Sequence, residues 1–123
     1  KTLFMHGGLS NFFVHRWVTQ SGQKAIGKTI KEINKMGSGL MWDSASPIWY
    51  RPQFAPDNDA SRLFRGGKYL QVVGHTPVKD VILEGGVLSC DTFSTYRDGT
   101  PYGSREFCIV DTDTWQFETV PTK

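Results

Sequence analysis

Only two cysteines, Cys90 and Cys108, stand in 123 residues, and no Cys-x-x-Cys pair occurs. That excludes a zinc ribbon and a thioredoxin-type motif, and with them a small scaffold stapled by several disulfides. Both cysteines sit in strand-like runs and read as buried, reduced thiols. No apolar run approaches the roughly 20 residues that a membrane-spanning helix needs, so no membrane partner is expected. Neither sign of charge dominates: 14 basic against 12 acidic residues gives a formal net charge of +2, too little to argue for duplex nucleic acid. A glycine-rich phosphate loop is missing too, because Gly7-Gly8 and Gly85-Gly86 have neither the spacing nor the lysine. No Ser/His/Asp or Cys/His nucleophile group is recognisable. There is no internal repeat and no low-complexity segment.

What is present suits one domain with a modest core: 38% of residues are hydrophobic and 21% charged. Thr2 to Met5 and Tyr69 to Val73 are short apolar runs that read as strands. Ser10 and Asn11 are placed to cap a helical segment from Phe12 towards Trp17. Gln23 to Met36 reads as a helix, with Ile26, Ile30 and Ile33 as its apolar stripe. Lys24, Lys28, Lys31, Glu32 and Lys35 form its solvated face, and Gly37 and Gly39 its stop. Ser46-Pro47 opens one helical turn, and Ser61 to Phe64 suggests another. The run Asp57-Asn58-Asp59 fails as a calcium loop, for Arg62 replaces the central glycine and Lys68 the closing glutamate. From Val78 onward the chain looks all-β. Val78–Leu83 and Val87–Cys90 flank a turn at Glu84-Gly85-Gly86. Arg105–Val110 and Trp115–Val120 flank a second turn at Asp111–Thr114. The predicted class is α/β and β-rich.

The stretch that carries chemistry is Gly74-His75-Thr76-Pro77, where a histidine leaves a strand beside a glycine. Loops at the ends of rigid elements are where functional side chains concentrate, and glycine permits a sharp turn there. His6-Gly7-Gly8-Leu9-Ser10 repeats the setting near the start. Neutral imidazole ligates zinc, iron and manganese. Two imidazoles do not by themselves make a tight site, and a strand-end histidine bonded to backbone is the structural alternative. Arg51 offers a planar fork that fits two phosphate oxygens; its alternative is a surface arginine stacked on Trp49. Cys90-Asp91-Thr92 ends a strand, and Asp91 reads as a hydrogen-bond acceptor near the site. His15 reads as a surface histidine.

His6-Gly7-Gly8-Leu9-Ser10, the Trp49-Tyr50-Arg51 stretch, Gly74-His75-Thr76-Pro77 and Cys90-Asp91-Thr92, in that order, resemble motifs of the calcineurin-like metallophosphoesterases. They are most similar to the branch of serine/threonine phosphoprotein phosphatases and diadenosine tetraphosphatases. The resemblance implies that residues 1–123 are the C-terminal half of a four-layer αββα sandwich. The family's earlier metal motifs are absent, and the chain starts inside a strand, so a fragment of a longer protein is expected. The resemblance further implies two divalent ions in the parent, manganese, iron or zinc, with His6 and His75 as ligands of one. Arg51 would hold the substrate phosphate, and Gly74 and Asp91 would lie near the site. It implies hydrolysis of a phosphoprotein or a nucleotide by a metal-activated water in a cytoplasmic protein. No catalytic residue is assigned within the chain itself, which is expected to be inactive alone and to bind metal weakly. It is also expected to expose a sheet edge open to self-association. Phe93 stands in place of the glycine of the family's Asp-Thr-Gly, and the family's following Tyr-Gly comes only at Tyr102-Gly103, after an insertion from Phe93 to Pro101. The rival readings are a diadenosine tetraphosphatase-like nucleotide hydrolase and a metal-free, β-rich binding module.

Overall fold

The computed structural model of the chain describes residues 1–54 and 62–122. Strands β1 (Thr2–Met5), β2 (Leu70–Val73), β3 (Ile82–Glu84) and β4 (Val87–Ser89) form one sheet in the order β1-β2-β4-β3. The pairs β1/β2 and β2/β4 are parallel, and β3 is antiparallel to β4. β2 lies inside the sheet, and its Leu70, Gln71 and Val73 are buried. That burial is why its sequence is nearly continuously apolar rather than alternating. The short hairpin β3/β4 turns on Gly85-Gly86, both at positive φ, as a two-residue turn of matching twist requires.

Parallel strands need a crossover between them, and the β1–β2 connection supplies the helical layer. Helix α1 (Asn11–Trp17) starts where Ser10 accepts a hydrogen bond from Phe13 N. Its Phe13 and Val14 join Leu9, Val18 and Phe64 in a cluster against which Ile26, Ile33 and Met36 pack. The long helix expected over Gln23–Met36 is interrupted. A 3-10 turn (Gly22–Lys24) is followed by extended Ala25, and only then by α2 (Ile26–Asn34). The inward face is also displaced from the isoleucine stripe. Ile30 is exposed and Thr29 is fully buried, because the Thr29 hydroxyl satisfies itself on the Gly22 carbonyl at 2.9 Å. Gly37 does not end the helical region; it is the N-cap of a further short helix, α3 (Ser38–Met41).

On the opposite face of the sheet lies the antiparallel hairpin of β5 (Glu106–Val110) and β6 (Phe117–Pro121). Cys108, Val110, Trp115 and Phe117 pack there against Leu70, Val81 and Leu88. The layer order is thus helices, sheet, hairpin, and the α/β expectation holds. β3 is shorter than the run Val78–Leu83, because its first residues bond elsewhere: Val78 N donates to Asp91 O and Ser104 N to Lys79 O. Leu63 forms an isolated bridge with Ser10 rather than a helical turn; Ser61 and Asp57-Asn58-Asp59 lie outside the described residues. No helix among the described residues is long and apolar enough to cross a membrane.

The segment Phe93–Pro101 closes on itself. Thr95 bridges Pro101, Tyr96 N donates to Thr100 O, and Tyr102 N donates to Ser94 O. The loop therefore leaves Thr92 and returns Gly103 to the same place. A Cβ on Gly103 would stand 2.6 Å from the carbonyl oxygens of both Thr92 and Val78. These are backbone atoms, which cannot swing aside as a side-chain tip can. Replacing Gly103 by alanine is expected to destabilise the chain by about 1–3 kcal/mol, as overpacking does. Urea denaturation checks this, and an unchanged midpoint would show that the loop relaxes freely.

Candidate functional site

Because Met5 stands opposite Val73 in the parallel β1/β2 register, the next residues of both strands leave the sheet at the same end. The pairing continues one step past the ladder, with Gly74 N donating to His6 O at 3.0 Å. His6 and His75, 69 positions apart in sequence, then meet: His6 Nε2 is 3.0 Å from His75 Nδ1, and the ring centroids are 4.7 Å apart. A buried amide fixes the turn that carries His6. Gln71 is fully inaccessible, accepts from Leu9 N and donates to Leu9 O, both at 2.9 Å. A side chain here does the work of a neighbouring strand.

The expected role of Gly74 needs correction. A Cβ there would meet only His6 O, at 3.8 Å, an ordinary contact. The sharp turn belongs to His75 itself, whose φ is 60°. Thr76 N donates back to Gly74 O at 2.6 Å, which closes a γ-turn of the rare positive-φ kind around the imidazole. A side chain beyond glycine seldom sits there, and such a conformation is held at roughly 1–3 kcal/mol by surrounding structure.

Gly7 is the glycine that sterics demand. Its N–H donates to Pro47 O at 2.6 Å, and a Cβ would lie 2.7 Å from the carbonyl oxygens of Pro47 and Tyr50. The loop that bears Trp49 and Arg51 is thereby pressed onto the His6 turn. Buried Ser46 secures it from behind by donating to Met41 O at 2.7 Å. The rings of Trp49 and His75 meet nearly at right angles with centroids 5.5 Å apart, and exposed Trp42 extends this wall at 5.4 Å from Trp49. The guanidinium of Arg51 reaches the Thr76 hydroxyl at 3.4 Å and lies 6.0 Å from the Phe54 ring, so it does not stack on Trp49. Asp91 accepts from Ser94 N at 3.2 Å and from Ser94 Oγ at 2.7 Å, the structural role expected of it. His15 is exposed on α1. Trp49 and Thr76 enter the site without having been singled out from sequence. For Trp49 the motif it shares with Arg51 was the available clue.

The electrostatics favour a neutral His75. Burial lowers its pKa most, and the Arg51 guanidinium and His6 lower it further; the Trp49 backbone and the Asp91 charge act weakly the other way. Its Nε2 is closed off from solvent without a hydrogen-bond partner. At neutral pH one ring of the pair donates to the other, or both present lone pairs to a third body. A separation of 3.0 Å suits either arrangement, since two nitrogens at about 2.0–2.1 Å from one ion and near a right angle to it stand about that far apart. The pair thus fits as two imidazole ligands. No group of three or more His, Cys, Asp or Glu side chains able to hold a metal occurs among the described residues.

Two outcomes follow. Glycine at position 75 is expected to stabilise the chain relative to alanine by about 1 kcal/mol, because only glycine is at ease at positive φ; equal melting temperatures would remove the strain. Since the folded value of His75 lies below the ordinary 6.5, the unfolded chain takes up its proton first on acidification. The His75 contribution to stability is therefore complete above about pH 6.5 and is lost as pH falls through the depressed value. An NMR titration of the His75 ring with a midpoint at or above 6.5 would refute this.

No protein-family model matches the chain, and no curated protein matches it. Three solved structures share its fold. A cold-active protein tyrosine phosphatase is 23% identical with a TM-score of 0.52, over 96% of this chain and 39% of that one. The cold-active protein-tyrosine phosphatase of a psychrophilic Shewanella species is 23% identical with a TM-score of 0.51. A point mutant of a cold-active protein tyrosine phosphatase gives 23% and 0.52. The chain spans about two fifths of the length of these proteins, and at this identity the likeness is one of fold.

Proposed function

We propose that the chain is part of a metal-dependent phosphoester hydrolase of the metallophosphoesterase kind. In this reading His6 and His75 supply two ligands to a divalent ion, and Arg51 grips the substrate phosphate. The convergence of two imidazoles 3.0 Å apart, beside a guanidinium anchored on the Thr76 hydroxyl, carries the proposal. A bound manganese, iron or zinc ion would supply Lewis acidity towards phosphate and an activated water. The likeness in fold to proteins described as phosphatases agrees with a phosphate ester as substrate. A phosphoprotein fits this best, and a dinucleotide polyphosphate is the nearest alternative.

The residues also argue against a cysteine-nucleophile route. Such a nucleophile must be a thiolate held at low pKa by positive neighbours. Burial, with Cys108 alongside, pushes the Cys90 thiol up to about 12. Each histidine keeps one nitrogen directed at the other, and neutral His75 is in the protonation state that ligation requires. The Gly7–Pro47 hydrogen bond ties the loop that carries Arg51 to the turn that carries His6, and pre-organisation of this sort is what a phosphate grip needs. With two ligands and no more among the described residues, metal affinity is expected to be weak and activity absent until the rest of the protein completes the site. Phe4 on the β1 edge, 63% exposed, fits a surface that covers itself by self-association or by the remaining polypeptide.

Exposed His15 is an internal control. Low concentrations of Ni²⁺ are expected to broaden the ring resonances of His6 and His75 before those of His15, and the double change H6A/H75A to abolish the selective effect. Equal broadening of all three histidines would end the metal reading. It would leave a β-rich binding module as the better description.

A further inference from the structure

The function proposed above makes no use of the cysteines, yet the fold brings them together. Cys90 directly follows β4, with its N–H donating to Val73 O at 2.9 Å. Cys108 lies in the middle of β5. A clamp between these two layers sets their spacing. Thr92 Oγ1 accepts from Glu106 N at 3.1 Å and donates to Glu106 O at 2.8 Å, while Arg105 N donates to Thr92 O at 3.1 Å. Cys90 is two residues before Thr92, and Cys108 two residues after Glu106. Each cysteine is thus two positions along the chain from the clamp. Both side chains enter the same cluster around Leu70, Val81 and Leu88, and neither is disulfide-bonded. Facing layers are normally about 10 Å apart. Beside the corner where hydrogen bonds tie the layers together, the two thiols are near enough to interact directly.

We propose that Cys90 and Cys108 are an oxidisable dithiol, a modification site at which a single disulfide staples the end of β4 to β5. The oxidant class is a small-molecule disulfide, such as glutathione disulfide. One cysteine thiolate attacks it, forming a mixed disulfide and expelling one glutathione thiol. The second cysteine attacks the protein sulfur of that mixed disulfide and expels the other glutathione. The two protein thiols lose two protons and two electrons, and one oxidised glutathione becomes two reduced ones. Burial holds both thiols above their ordinary range, so neither is a standing nucleophile and the reduced pair is stable in a reducing compartment. The staple would fix the strand end that carries Asp91, whose carboxylate holds Ser94 and whose charge reaches His75. It would also close the loop over Phe93–Pro101 covalently.

The whole chain, equilibrated in glutathione buffers from reducing to oxidising and then acid-quenched, reads the outcome. Peptide mapping is expected to find an intramolecular Cys90–Cys108 link, reversible by dithiothreitol, in otherwise native chain. The linked form is expected to melt roughly 5 °C or more above the reduced one, as closure of a loop of this size predicts. Cys90→Ser and Cys108→Ser should each prevent it; mapping of the unaltered chain decides the matter if a variant does not fold. Single glutathione adducts, dimers linked between chains, no reaction, or a linked form that melts no higher than the reduced one would each overturn the proposal.

Discussion

The parallel register of β1 with β2 is the constraint on which the site rests. Met5 opposite Val73 leaves two strands, separated by the whole helical crossover, ending at one level. A slip of one residue would reverse the face of every side chain on β1. It would carry Leu3 out of the core and His6 away from His75. Register is protected from two sides. Leu3 and Met5 face buried positions on the helical side of the sheet, and Gln71 reaches across to both main-chain groups of Leu9. That double bond is costly to lose. Removing the amide strands a buried N–H and C=O, at about 1–3 kcal/mol each. The polar residue inside an otherwise apolar strand is therefore a registration device for the turn that holds an imidazole.

Much of this was legible in the sequence wherever local chemistry and tertiary context agree. Thr2–Met5 is a strand because it is short, apolar and ends at glycines. Ser10 caps α1 because its hydroxyl suits the orphan N–H of Phe13. Gly85-Gly86 turns the hairpin because two consecutive positive φ angles are otherwise scarce. Sequence reading failed where context overrode pattern. Isoleucine spacing pointed to Ile30 as core, but Thr29 takes the buried place through a bond to a carbonyl that only the preceding 3-10 turn presents. Gly37 reads as a helix stop, yet it is equally an acceptable N-cap, and here the chain helps itself to a second helix. The convergence of His6 with His75 was inferred from two similar strand ends and a family resemblance. The role of Gly74 was not, since a glycine beside a turn invites the assumption that the glycine makes it.

The segment Phe93–Pro101 shows how a surface loop can leave the strand ends beside it undisturbed. Its own hydrogen bonds close it before it reaches the sheet, and what returns to the core is a residue without a side chain. Thr92 is buried and binds Glu106 through its hydroxyl, so the position after Asp91 is pinned whatever the loop outside does. Asp91 in turn is occupied by Ser94, at the base of the same loop. The loop is thus tied to the sheet at Asp91, Thr92 and Gly103, and its aromatic residues Phe93 and Tyr96 lie towards solvent. Variation in this segment alters a rim and leaves the strand ends where they are.

Unfavourable local terms are shared by a few residues: Arg65, His75 and Trp115 each combine a positive φ with a buried polar atom that lacks a hydrogen-bond partner. His75 has a positive φ, a buried and unpartnered Nε2, and two cationic or potentially cationic neighbours in Arg51 and His6. Each feature disfavours the folded chain, and none improves packing. What distinguishes His75 from the other two is the second imidazole 3.0 Å away. Surrounding structure over-determines His75: β2 behind it, the Trp49 ring beside it, and the Gly7–Pro47 hydrogen bond that ties the loop of that ring to the His6 turn. Backbone strain that a rigid frame sustains, at a side chain capable of ligation, agrees with the role proposed for His75.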